Sequence, residues 1–141
     1  MYKRQIYNHN TETVPRLYPS IRPKAVYGNS LGLLRHVKTL RPEMVTKSGV
    51  MVGLGESVDE LLRVFANMRE HDIDVLTVGQ YLRPTKKHAE VQRFYRPEEF
   101  AALREQALAM GFRHVEAGAL VRSSYHADEQ IPTNGQKLLA G

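Results

Sequence analysis

Residues 44–68 read MVTKSGVMVGLGESVDELLRVFANM, and this stretch decides the fold. Its first third is rich in Val and Met and ends in Gly53-Leu54-Gly55, a strand that runs into a tight turn where glycine permits unusual backbone angles. Ser57 and Glu60 then have the spacing of a capping box, in which each side chain accepts from the other's unpaired backbone N–H. Val58, Leu61, Leu62, Phe65 and Met68 follow as one apolar stripe of helical period. The stretch is therefore a strand, a glycine turn and a capped helix, one βα unit.

The same unit repeats outward. A helix is expected from Asn29-Ser30, with Leu31, Leu34 and Val37 on one face and Pro42 ending it. A strand is expected over 73–78, passing into Gly79-Gln80-Tyr81-Leu82-Arg83-Pro84. A polar loop, 85–93, precedes a third helix. In that helix Pro97 has no N–H to lose, Glu98 and Glu99 face the positive end of the dipole, and Gly111 closes the last turn. Phe100, Leu103, Ala107 and Met110 supply its stripe, and 114–117 reads as a short strand. With 6–10 as the first strand, strands and helices alternate, which implies a parallel sheet with right-handed crossovers. Polar residues gather just after strands: Asn8, Asn10 and Glu12; Gly53 to Glu56; Gln80 and Arg83. Ligands bind at that end of parallel strands.

Bulk composition narrows the class. The chain has 141 residues, 42% apolar and 25% charged, which suits one ordinary domain. No apolar run is long enough to span a membrane, and residues 1–10 contain no apolar leader core, so a cytoplasmic location is expected. The net charge is +5, but the Lys and Arg residues are spread along the chain and no basic–aromatic run is present. That favours a solvated basic surface over a nucleic-acid interface. Attraction to an anionic partner or a substrate carboxylate is the weaker functional reading. With no cysteine, disulfides and thiolate ligation are excluded. The six histidines show no HxxH or HExxH spacing, so zinc has little support.

Four ordered segments carry a family likeness: Tyr7-Asn8-His9-Asn10-Thr11-Glu12-Thr13-Val14-Pro15-Arg16-Leu17, Thr46 to Glu56, Gly79 to Thr85, and Arg122-Ser123-Ser124-Tyr125-His126-Ala127. Together they resemble the C-terminal half of lipoyl synthase, a radical S-adenosylmethionine (SAM) enzyme. The resemblance implies an α/β fold, a partial (β/α)6 radical-SAM barrel. This chain would supply its C-terminal βα units, about three to four parallel strands with helices, plus a C-terminal extension. It implies sulfur insertion at C6 and C8 of an octanoyl group on a carrier lysine. SAM-derived 5′-deoxyadenosyl radicals do this, and a second [4Fe–4S] cluster is consumed as the sulfur source.

The family's cluster-binding cysteines belong upstream of Ile6, so the chain alone is expected to be an inactive fragment. The partner implied is an octanoylated lipoyl carrier domain or glycine cleavage H protein, with no nucleic acid and no membrane. The full-length enzyme is expected to be monomeric. Gly49, Gly53 and Glu56, with Met51 in the apolar slot, match the superfamily's GxIxGxxE pattern. Asn10 and Glu12 suit ribose hydroxyls, Arg83 suits the methionyl carboxylate, and Lys47, Ser48 and Gln80 are possible assistants. In this family a serine of the Arg-Ser-Ser-Tyr motif binds the remaining iron of the auxiliary cluster. Ser123 and Ser124 point opposite ways if extended, so one of them fits, and Ser124 is preferred.

Without the family, these residues have ordinary readings as a glycine turn, a helix-start carboxylate and capping serines. A cysteine-free module that docks the carrier domain is one rival. A serine hydrolase using Ser124 and His126 is a weak one, since no G-x-S-x-G elbow exists. Residues 1–5 fall outside the likeness and match one translation of a transposon sequencing adaptor, so they are expected to be a non-native leader. Residues 6–127 form the barrel half with its extension, and 128–141 are expected to fray.

Overall fold

A computed structural model describes residues 6–121. The leader 1–5, the Arg122–Ala127 motif with Ser123 and Ser124, and the tail 128–141 lie outside the described residues. Strands β1 (Ile6–Asn8), β2 (Val45–Val52), β3 (Val75–Gln80) and β4 (His114–Gly118) form one parallel sheet in the order β1-β2-β3-β4. The helices are α1 (Tyr18–Ile21), α2 (Asn29–Leu40), α3 (Val58–Glu70) and α4 (Pro97–Ala109). The βα alternation expected from the sequence is the one observed.

Because each strand pairs with the next in sequence, the winding never reverses. Right-handed crossovers then place every helix on the same face. The core confirms this: Leu31 and Leu34 of α2, Leu61, Val64, Phe65 and Met68 of α3, and Phe100, Leu103 and Ala107 of α4 all pack on Val50, Val52, Leu76, Val78 and Val115. The opposite face carries no helix of this chain among the described residues. A sheet wound this way is an arc of a barrel, and its uncovered side is the concave one.

Local chemistry sets the boundaries. The capping box is formed: Glu60 N–H donates to Ser57 Oγ at 3.1 Å, and Ser57 N–H donates to Glu60 Oε1 at 2.9 Å. At the start of α4 the carboxylate of Glu99 accepts from Arg96 N–H at 2.8 Å, beside Pro97. Several expectations shift. Val58 is 45% exposed, and Val64 takes its place in the core. Ile73 is buried but precedes β3, which runs on to Gln80. The 3-10 turn Pro15–Leu17 and α1 lie in a stretch whose proline content gave no helical period.

β1 ends at Asn8 rather than Asn10 because the chain bulges. Thr11 and Glu12 N–H both donate to Gly49 O, at 3.1 and 3.0 Å, before Met51 N–H returns to Glu12 O at 2.9 Å. Two residues thus oppose one, and Glu12 adopts φ 81°, a left-handed conformation costly for a non-glycine residue. No helix among the described residues is long and apolar enough to cross a membrane.

Candidate active site on the open face of the sheet

Strand alternation sorts the residues between faces. Thr46, Ser48, Val50 and Val52 of β2 face the helices, so Lys47, Gly49 and Met51 face the open side. The pairings place Asn8, Lys47 and Val75 in one row on that side and Gly49, Thr77 and Glu116 in the next. The open face therefore carries a polar band of Asn8, Lys47, Thr77 and Glu116, with Gly49, Gly79 and Gly118 beside it. A cavity of about 550 Å3 lies over the band, lined by Lys47, Thr77, Glu116 and the 118–121 segment. Thr77 Oγ1 in this lining and Asn8 Oδ1 on β1 are buried without a hydrogen-bond partner among the described residues. A buried orphan polar atom costs free energy unless something else satisfies it, and Thr13 Oγ1 and Arg69 Nε are in the same position elsewhere.

Gly79 has a separate role. A Cβ at this position would run into the carbonyl oxygen of Val121. Its absence lets the chain leave β4, turn at Gly118 (Val121 N–H to Gly118 O, 3.2 Å) and lie back across the open face. The residues next in sequence are Arg122-Ser123-Ser124.

The rim at the C-terminal ends of β2 and β3 is a buried polar knot. Glu56 is 8% exposed, and its carboxylate accepts from Gly53 N–H (3.0 Å), Leu54 N–H (3.0 Å) and Tyr95 Oη–H (2.5 Å). Burial, and then the bond to this carboxylate, push the Tyr95 hydroxyl well above the usual tyrosine range, so it stays a donor. Gln80 Nε2 donates to Arg93 O at 3.0 Å, and Gln80 Oε1 accepts from Tyr95 N–H at 2.9 Å. Gly53 (φ 97°) sits beneath, and a Cβ there would come 2.5 Å from Arg93 O. Gly53, Glu56 and Gln80 are thus brought together, and they seat the 91–95 loop on the strand ends. Sequence reading missed Tyr95, which has no motif and lies 39 residues from its partner.

The remaining expected residues are distributed more widely. Lys47 stands on the open face. Ser48 points the other way, buried, with its hydroxyl 2.9 Å from that of Thr11. Glu12 sits on the bulge and pairs with Arg22 at 3.5 Å. Asn10 is half-buried, and its carbonyl accepts from Ser30 Oγ at 3.1 Å. Nearby, burial pushes the Tyr18 hydroxyl up to about 12, and it donates to Thr11 O. Arg83 is exposed and clips the following turn, donating to His88 O (2.9 Å) and Lys86 O (2.7 Å). Thr77 and Glu116 were not anticipated from the sequence, and Asn8 only as one of the polar residues after a strand, although all three share a strand phase with Lys47.

Residues able to hold an iron–sulfur cluster are another matter. The chain has no cysteine, and no group of three or more His, Asp or Glu among the described residues could hold a metal. The described residues do not fit a [4Fe–4S] cluster. The polar band, with its unsatisfied acceptors and one ammonium, does fit the amino-acid and ribose groups of SAM in kind.

No protein-family model matches the chain. It is 56% identical over 137 residues to a lipoyl synthase of Koribacter versatilis, covering 97% of this chain and 45% of that protein. A lipoyl synthase of Rubrobacter xylanophilus is 59% identical over 124 residues, covering 88% and 39%. One of Bacillus subtilis is 51% identical over 135 residues, covering 96% and 45%. The chain thus spans less than half the length of these relatives, while they match nearly all of it. It is a homologue of the lipoyl synthases and corresponds to their C-terminal half.

Proposed function

We propose that the chain serves as the C-terminal half of a lipoyl synthase active site, in which sulfur is inserted at C6 and C8 of an octanoyl group on a carrier protein. The observation that carries this reading is the open face: a helix-free side of a parallel arc, with orphaned Asn8 and Thr77 oxygens beside Lys47. Lys47, Asn8 and Thr77 would hold polar groups of SAM, with Asn10, Glu12 and Arg83 placed around the rim. Gly53, Glu56 and Gln80 shape that rim, and Ser48 braces the bulge through Thr11. Bound SAM would supply the hydrogen-abstracting radical. The cluster thiolates must come from outside this chain, with Ser124 or Ser123 contributing the one oxygen ligand. The octanoyl group would arrive on a lipoyl carrier domain or the glycine cleavage H protein.

Grafting tests this. Joined to the N-terminal part of the Koribacter versatilis relative, the chain should restore protein lipoylation in a bacterium lacking lipoyl synthase. Lys47→Ala in the same graft should abolish it. A graft that is stably produced and carries both clusters, yet leaves the carrier unlipoylated, refutes the proposal.

A further inference from the structure

The loop that follows β3 is basic. Residues 82–96 hold five of the chain's twenty Lys and Arg and one of its fifteen Asp and Glu. Residues 16–41 hold six Lys and Arg and no Asp or Glu, but Arg16, Arg22, Lys38 and Arg41 are paired with carboxylates. The 82–96 loop emerges at the C-terminal end of β3 and is anchored at the mouth of the open face. Tyr81 Oη–H donates to Ala89 O at 2.6 Å, Val91 packs on Met51 and Tyr81, and Gln92 N–H donates to Gly53 O at 2.7 Å. Arg93 is paired with Glu99, but Arg83, Lys86 and Lys87 have no carboxylate partner among the described residues.

The backbone that carries Lys86 and Lys87 is fixed, as is the Arg83 guanidinium. The guanidinium of Arg83 donates to Lys86 O and His88 O, His88 N–H returns to Thr85 O at 3.0 Å, and Lys87 N–H donates to Thr85 Oγ1 at 3.1 Å. The turn is therefore pre-organised, which lowers the ordering cost of binding. Leu82 (54% exposed) and Phe94 (64% exposed) flank it with apolar surface. Cations without a carboxylate partner, carried on a fixed turn beside exposed apolar groups, match a protein face bearing carboxylates. They are too few, and lack the stacking platform, for a nucleic-acid track.

We propose that the 82–96 loop is the docking surface for the carrier protein, engaging an acidic face next to its octanoyl-lysine. This rests on the proposed function for the identity of the partner. The test is a fluorescence-anisotropy titration of the chain against an octanoylated glycine cleavage H protein, at low ionic strength and at about 0.15 M salt. The parent should bind, with affinity falling as salt rises. Lys86→Glu/Lys87→Glu should lose roughly tenfold in affinity at low salt and flatten the salt dependence. Arg63→Glu, an exposed charge reversal on α3 of the helix-covered side, should bind like the parent.

The inference is overturned if the double reversal binds like the parent, or if Arg63→Glu weakens binding equally. It is also overturned if the parent fails to bind the H protein or binds a DNA oligonucleotide more tightly. A graft that restores lipoylation while the reversed lysines change nothing removes the docking surface alone. A graft that fails removes the lipoyl synthase reading first.

Discussion

Replacing Glu56 by Gln is the sharpest probe of how the rim is built. Both carboxylate oxygens are in use: Oε1 accepts from Leu54 N–H, and Oε2 accepts from Gly53 N–H and Tyr95 Oη–H. A glutamine keeps the shape but offers one carbonyl oxygen and one NH2. Whichever way the amide turns, its NH2 faces a backbone N–H, and a buried donor is orphaned. Such an orphan costs about 1–3 kcal/mol, and the bonds that remain are no longer charge-assisted. The total expected is about 2–4 kcal/mol. Tyr95→Phe removes only one donor and leaves the carboxylate its two N–H groups, so about 1–2 kcal/mol is expected. Because both act on one knot, the double variant should fall short of the sum by at least about 0.5 kcal/mol. Urea unfolding at constant m-value measures all three. A Glu56→Gln variant within about 0.5 kcal/mol of the parent would refute the assignment of a fully engaged carboxylate.

Two further outcomes follow from the structure. Arg16 and the Ser57 N–H hold the Glu60 carboxyl down at about 2, against an ordinary value of 4.5. A depressed carboxylate stabilises the fold above its unfolded value and loses that contribution as pH falls from 4.5 toward 2, so stability should decline across this window. Arg16→Met should flatten the decline, as pH-dependent urea midpoints will show; an unchanged slope would contradict it. At Gly79 an added methyl meets backbone, so Gly79→Ala should destabilise by about 1–3 kcal/mol and shift the amide resonances of residues 118–121. At Gly118 the methyl would meet only Val121 Cγ2 at 3.8 Å, so Gly118→Ala should be neutral or stabilising, and equal effects at the two glycines would sink the argument.

Much of the fold was legible because each βα unit announces itself locally. The Ser57–Glu60 box, the Pro97 start and the stripes of α3 and α4 need no distant partner to be read. The phase of β2 was less accessible. Val50, Met51 and Val52 are all apolar, so nothing in the strand itself says whether Lys47 or Ser48 faces the ligand side. Pairing with β1 and β3 decides it, placing Lys47 between Asn8 and Val75. Glu56 was visible as a motif residue, but its bond to Tyr95 spans 39 residues and belongs to tertiary structure. The bulge at Glu12 was hidden for the same reason, since it exists only against Gly49. Summing charge in windows would have pointed first to 16–41, and only the ion pairs of Arg16, Arg22, Lys38 and Arg41 set the 82–96 loop apart.

The sequential strand order has a consequence for how the chain reaches this structure. Every strand pairs only with its predecessor and successor, so no pairing has to wait for a segment far along the chain. Parallel sheets are ordinarily slow to form because long loops must close first, but here each closure spans a single βα unit. β2 and α3 can collapse around Leu61 and Phe65 as soon as β3 has been made, and α4 with β4 then adds to a finished edge. During synthesis such a chain can assemble in order from its N-terminal side, one unit at a time.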